Sequence, residues 1–188
     1  MERLTDKHMT ISEASSQPVS ATGVLSSPVV LSEAVCREID LWVAKYPGPW
    51  KQSAVMAALR IVQDEDEQGG WLTHARMDAV AAYLEMPAIA VYEVASFYSM
   101  YELNPVGRHK ICVCTNLSCM LNGSDRVVEH LEKRTGIRLG ETTPDRRFTL
   151  KAVECLGACA GAPMMQIGRQ YHEHLTPEKI DSILDRLD

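Results

Sequence analysis

Long apolar runs are missing from this chain: the longest, such as Ala54 to Leu59 and Ala79 to Leu84, reach six residues, where a membrane-crossing helix needs about 20. No transmembrane span is expected. Positive charge is also short. The 19 Lys and Arg stand against 25 Asp and Glu, a net charge of -6, the wrong sign for attraction to nucleic acid or to an anionic membrane surface. Residues 1 to 28 contain no aromatic residue but nine Ser or Thr. They lack the apolar core of a signal peptide, and Glu2, Asp6 and Glu13 oppose a transit peptide. A cytosolic chain is expected, where thiols stay reduced. Neither G-x-G-x-x-G nor G-x-x-x-x-G-K occurs, so nothing here reads as a site for NADH, FMN or a nucleoside triphosphate. No complete active site is expected in this chain alone.

Apolar residues make up 46% of the 188, enough for a core without disulfides. Residues 1–30 read as a disordered arm, too poor in apolar side chains to offset chain entropy. Residues 31–104 read as a helical subdomain. Val35, Ile39, Trp42, Val43 and Tyr46 recur at helical spacing behind Ser32 as N-cap, with Pro47-Gly48-Pro49 as a stop. Val55, Leu59 and Val62 mark a second helix, closed by the acidic run Asp64 to Glu67 and by Gly69-Gly70. Trp71 and Leu72 are expected to dock onto the core, and Thr73 to cap a third helix reaching Leu84. Pro87 then opens a fourth helix that is expected to carry Val91, Val94 and Phe97 inward.

Past Asn104-Pro105 the apolar period shortens from 3.6 to 2, and residues 105–188 read as a second unit. Strands are expected at His109 to Cys114, Phe148 to Val153, Met164 to Ile167 and Gln170 to His172, the last two joined at Gly168-Arg169. Ser124 is read as the cap of a helix ending at Gly136, and Thr176-Pro177 as the start of a last helix. The fold class is α+β, an N-terminal helical bundle followed by a small mixed sheet with flanking helices.

Four of the six cysteines form two close pairs in loops after strands, Cys114 with Cys119 and Cys155 with Cys159, with 35 residues between the pairs. Two such loops at one end of a sheet can offer four thiolates to a zinc ion or to a 2Fe-2S cluster. Spacing alone leaves both open. Leu156, Gly157, Ala158, Ala160, Gly161 and Ala162 bring no side-chain charge, so backbone N–H groups can approach sulfur there. Rieske-type ligation is disfavoured because neither loop holds histidine, and a thioredoxin-like dithiol because there is no C-x-x-C. Cys36 and Cys112 read as core thiols, although Cys112 shares a strand face with Cys114. Thr73 to Ser99 resembles a helix-turn-helix, but Ala88 to Leu103 contains no Lys or Arg, which opposes DNA binding. Phe97, Tyr98 and Tyr101 read as a core cluster or a partner interface, and His172 and His174 as solvated.

From about Leu31 onward the sequence resembles the small 2Fe-2S subunit of the NADH-oxidising module of bacterial NADH:quinone oxidoreductase, respiratory complex I. The resemblance rests on Gly70-Trp71-Leu72, Val94-Ala95-Ser96-Phe97-Tyr98-Ser99, Pro105-Val106-Gly107-Arg108-His109, Cys114-Thr115-Asn116-Leu117-Ser118-Cys119, Cys155-Leu156-Gly157-Ala158-Cys159 and His174-Leu175-Thr176-Pro177. It implies a thioredoxin-like 2Fe-2S ferredoxin domain with Cys114, Cys119, Cys155 and Cys159 as ligands, and it turns the open choice between zinc and a cluster to 2Fe-2S. It also implies an electron-transfer subunit whose partner is a flavoprotein holding FMN and binding NADH, among further peripheral-arm subunits. Such a chain would lie in the cytoplasm, peripheral at the inner membrane through the complex. Related subunits serve NAD-linked formate dehydrogenases and hydrogenases, and a zinc-stabilised interaction module is the rival from another class. Ala162-Pro163 stands where thioredoxin-like folds often carry a cis proline.

Overall fold

A computed structural model describes residues 29–65 and 70–187. Residues 1–28 of the expected N-terminal arm and most of the acidic run after Asp64 lie outside these residues. Helix α1 (Glu33–Val43) starts where the Ser32 hydroxyl accepts the Val35 N–H, at 3.3 Å, which satisfies one of the orphan donors of a first turn. The chain then takes a 3-10 stretch over Gly48–Ala54 and enters α2 (Val55–Asp64). Thr73 caps α3 (His74–Leu84) through its hydroxyl and the Arg76 N–H, at 3.1 Å. Helix α4 (Ala88–Phe97) follows Pro87. Their inward stripes, with Leu72 and Tyr101, close one apolar core around Ile39, Leu59, Val80 and Val91.

Phe97 departs from the expected pattern: it is 80% exposed, while Ala95 takes the buried place beside Val91. Ala95 lies four residues past Val91 and stays on its face; Phe97, two residues further, is turned about 200° away from Ala95. Phe97 stacks edge-on against Tyr98 with ring centroids 5.0 Å apart, and of the three aromatics only Tyr101 is in the core.

The second part is a four-stranded sheet in the order β2-β1-β3-β4. Strands β1 (His109–Cys114) and β2 (Phe148–Val153) run parallel, and β3 (Met165–Ile167) and β4 (Gln170–His172) return antiparallel. A short helix α5 (Leu117–Leu121), α6 (Ser124–Thr135) and α7 (Pro177–Leu184) complete it. Ile111, Val113, Leu150 and Met165 pack with Leu131 of α6 and Ile180 of α7 into a second core. Gly136 ends α6 at φ 75°, and Thr176 caps α7 through the Lys179 N–H. Ser124 does not cap α6: Gly123, at φ 93°, holds that place, and the Ser124 hydroxyl is buried without a hydrogen-bond partner. The Gly123 N–H bonds back to the Met120 carbonyl of α5 while its own carbonyl accepts the Arg126 and Val127 N–H groups, so the turn between α5 and α6 falls on Gly123. No described helix is long and apolar enough to cross a membrane.

Glu102 ties the two cores together. Its carboxylate accepts Lys110 of β1 at 2.9 Å and Lys151 of β2 at 2.6 Å. Its backbone N–H donates to the Gln63 side chain at 2.7 Å, and its carbonyl accepts the Leu72 N–H, also at 2.7 Å. The Glu102 side chain is only 12% exposed and the lysines 26% and 25%, so this triad is largely withdrawn from screening water. Beside it lies a cleft of about 1120 Å³ between the helices and the open sheet face. Glu102→Gln keeps the shape but leaves two half-buried ammonium groups without their counter-charge. We expect it to lower unfolding stability by about 1–3 kcal/mol, read as a lower urea midpoint; an unchanged midpoint would show the triad to be solvated in practice.

Candidate metal centre

Two parallel neighbours end at the same edge of a sheet, and here that edge delivers both cysteine loops. Cys114, the last residue of β1, is in register with Val153, the last residue of β2. The Thr115 N–H continues the ladder to the Val153 carbonyl at 3.1 Å, and Cys155 follows two residues later. Cys119 is set on α5, whose first turn is held by the Asn116 side chain accepting the Leu117 N–H at 2.7 Å. Cys159 opens a 3-10 turn, Cys159–Gly161.

The four thiols differ in environment. Cys114 and Cys119 are buried, at 4% and 1% exposure, and pack with Met164 against Leu156, Ala158 and Ala162. Cys155 and Cys159 are exposed. Burial pushes the Cys119 thiol up to about 11, and the neighbouring Cys114 sulfur, within hydrogen-bond reach, pushes the same way. The nearby Met164 backbone N–H pulls back, and Cys159 adds a weaker upward push. The metal-free thiol is therefore neutral at pH 7, and ligation must expel its proton. Across the gap, the Gly157 N–H donates to Cys155 Sγ at 3.4 Å. Gly157 sits at φ +77°, a conformation that costs a side-chain-bearing residue about 1–2 kcal/mol.

The structure thus packs Cys114 and Cys119 together and sets Leu156 and Ala158 of the Cys155–Cys159 loop against them. Among the described residues no three His, Cys, Asp or Glu side chains converge tightly enough to hold a single ion. Cys112 stands apart, in mid-strand between Lys151 and Gln166. Burial raises its pKa against the pull of Lys110 and Lys151. Cys36 is on α1, with its sulfur 3.9 Å from the Leu31 carbonyl. His172 is partly buried and its pKa is lowered by that burial, then by Lys179 and Arg186. The Ala162-Pro163 bond is cis. Sequence reasoning passed over three contributors to the site: the Met164 backbone, α5 itself, and Tyr171 of β4, whose hydroxyl donates to the Leu156 carbonyl at 2.7 Å.

The donor set suits an iron-sulfur cluster: four thiols in two loops, uncharged small residues between them, and a backbone N–H already aimed at sulfur. Residues 39–188 match the family of thioredoxin-like 2Fe-2S ferredoxins, and the chain belongs to that family. It is 47% identical over 143 residues to an NADH-quinone oxidoreductase subunit of Rickettsia felis, covering 76% of this chain and 84% of that one. The corresponding subunit of Rhizobium meliloti is 45% identical over 148 residues, covering 79% and 85%. Among solved structures, the NAD+-reducing NiFe hydrogenase in its air-oxidised state superposes with a TM-score of 0.60 at 22% identity, over 71% of this chain and 22% of that one. That likeness is one of fold.

A Cβ built on Gly161 would stand 2.4 Å from Glu173 Cδ and 2.6 Å from its Cβ. The loop that carries Cys155 and Cys159 can therefore close against the segment leading into α7 only with glycine there. Gly161→Ala should cost about 1–3 kcal/mol of stability, measured by thermal unfolding. The double variant Gly161→Ala with Glu173→Gly should recover part of that loss. A Gly161→Ala chain as stable as the parent would show that the loop yields instead.

Proposed function

We propose that this chain is the electron-carrying subunit of an NADH-oxidising complex of the NADH-quinone oxidoreductase type, holding one 2Fe-2S cluster on Cys114, Cys119, Cys155 and Cys159. The observation that carries the reading is the shared edge of β1 and β2, which sends both cysteine loops off parallel neighbouring strands at one end of the sheet. A binuclear cluster asks for four thiols, and Cys114 and Cys119, packed together with Met164, would supply two of them. When bound, the cluster supplies one-electron chemistry. Around it, Met164, Leu156 and Ala162 exclude water from the Cys114 and Cys119 side, while the exposed Cys155 and Cys159 face outward. The outward side is where electrons would be exchanged with the FMN of a partner flavoprotein that binds NADH. The helical residues 31–104 and the sheet residues 105–188 act in this reading as docking and cluster-bearing units. The chain would reach the inner membrane through the other subunits of the complex.

Purified protein should be brown, with iron and acid-labile sulfide each at about two per chain and an EPR signal on one-electron reduction. Cys114→Ser, Cys119→Ser, Cys155→Ser and Cys159→Ser should each lose or gravely weaken the cluster, whereas Cys36→Ser and Cys112→Ser should keep the visible spectrum. Colourless protein with one tightly held zinc would sink the proposal. NADH alone should leave the cluster oxidised, dithionite should reduce it, and adding the FMN-bearing partner should make NADH effective.

A further inference from the structure

Tyr171 makes one hydrogen bond whose position gives it more than a packing role. It lies on β4, half exposed, in a row that crosses the sheet through Lys151, Cys112 and Gln166. Its hydroxyl donates to the Leu156 carbonyl at 2.7 Å. The peptide group that owns this carbonyl also owns the Gly157 N–H, and that N–H donates to Cys155 Sγ at 3.4 Å. Phenol, peptide and sulfur are thus in series, and a donor on the oxygen of an amide makes its N–H more positive and a better donor in turn.

We infer that Tyr171 sets the reduction potential of the cluster by polarising the Leu156–Gly157 peptide. The inference rests on Cys155 being a ligand, as proposed above. A hydrogen bond to a ligand sulfur stabilises the reduced cluster, which carries one more negative charge, more than the oxidised one. Strengthening the relay raises the potential and weakening it lowers it. Tyr171 is a positioning residue: it touches neither iron nor sulfur and acts through one peptide.

The test is a dithionite redox titration of the purified, cluster-loaded full-length chain, followed by EPR; each cluster takes one electron and dithionite is oxidised to sulfite. Tyr171→Phe, with iron and sulfide contents equal to the parent, should shift the midpoint to a more negative potential. Site-specific 3-fluorotyrosine at position 171, a stronger donor of the same shape, should shift it the other way, which a loss of packing cannot do. That second variant decides the matter if Tyr171→Phe assembles poorly. An unchanged midpoint in a fully loaded Tyr171→Phe chain, or no positive shift with 3-fluorotyrosine, would overturn the inference and leave the ligand assignment standing. Cys155→Ser is prepared in parallel: an unaltered visible spectrum there would remove the ligand assignment and the inference together.

Discussion

One carboxylate decides how the two halves of this chain meet. Glu102 sits just after the last core residue of the helical part, Tyr101, and its oxygen takes both Lys110 and Lys151 from the first two strands. Neither lysine could face a half-buried sheet surface without a counter-charge, since the solvation lost by an ammonium group is costly. The main chain at Glu102 is held as firmly, through Gln63 and Leu72, so the charge is presented from a fixed frame. Tyr101 adds an anchor from the same segment, donating to the Met56 carbonyl at 2.8 Å. Orientation of the sheet relative to the helices is therefore set by directional polar contacts, with each apolar core closed on its own side.

That frame matters to the cysteines because of strand direction. Two antiparallel neighbours would send their following loops to opposite ends. The parallel pairing of β1 with β2 sends the 115–119 segment and the 155–159 segment to the same end, and α6 is the crossover that makes parallel pairing feasible. The centre is thus a product of topology first and of residue type second. The small residues of the second loop then allow a close approach, as the gap between Gly161 and Glu173 illustrates.

Much of this is legible in the residues alone. The strand limits of β1 and β2, the caps at Ser32, Thr73 and Thr176 and the stop at Gly136 follow from side-chain period and local hydrogen bonding, which are properties of short segments. The family resemblance is readable as well, because several short motifs occur in order. What escapes is of another kind. Phe97 is expected inward because it is large and apolar, yet the helix rotates it outward. Ser124 reads as a cap because its type is right, yet the left-handed Gly123 takes the place at the turn out of α5. Glu102 and Tyr171 carry no periodic signal, since Glu102 meets Lys110 and Lys151 at 8 and 49 residues' separation and Tyr171 meets Leu156 at 15. Contacts across such separations are fixed by the fold and are invisible to periodicity.

The unequal burial of the two thiol pairs has a chemical corollary. Sulfur at a surface is what oxidants reach first, and a thiolate there climbs the oxidation ladder from sulfenic acid upward. Cys155 and Cys159 are exposed, whereas Cys114 and Cys119 lie behind apolar side chains. Damage in air should therefore begin at the second loop and leave the first pair reduced for longer. Any surface that covered the second loop would therefore protect its sulfurs as well as bury them.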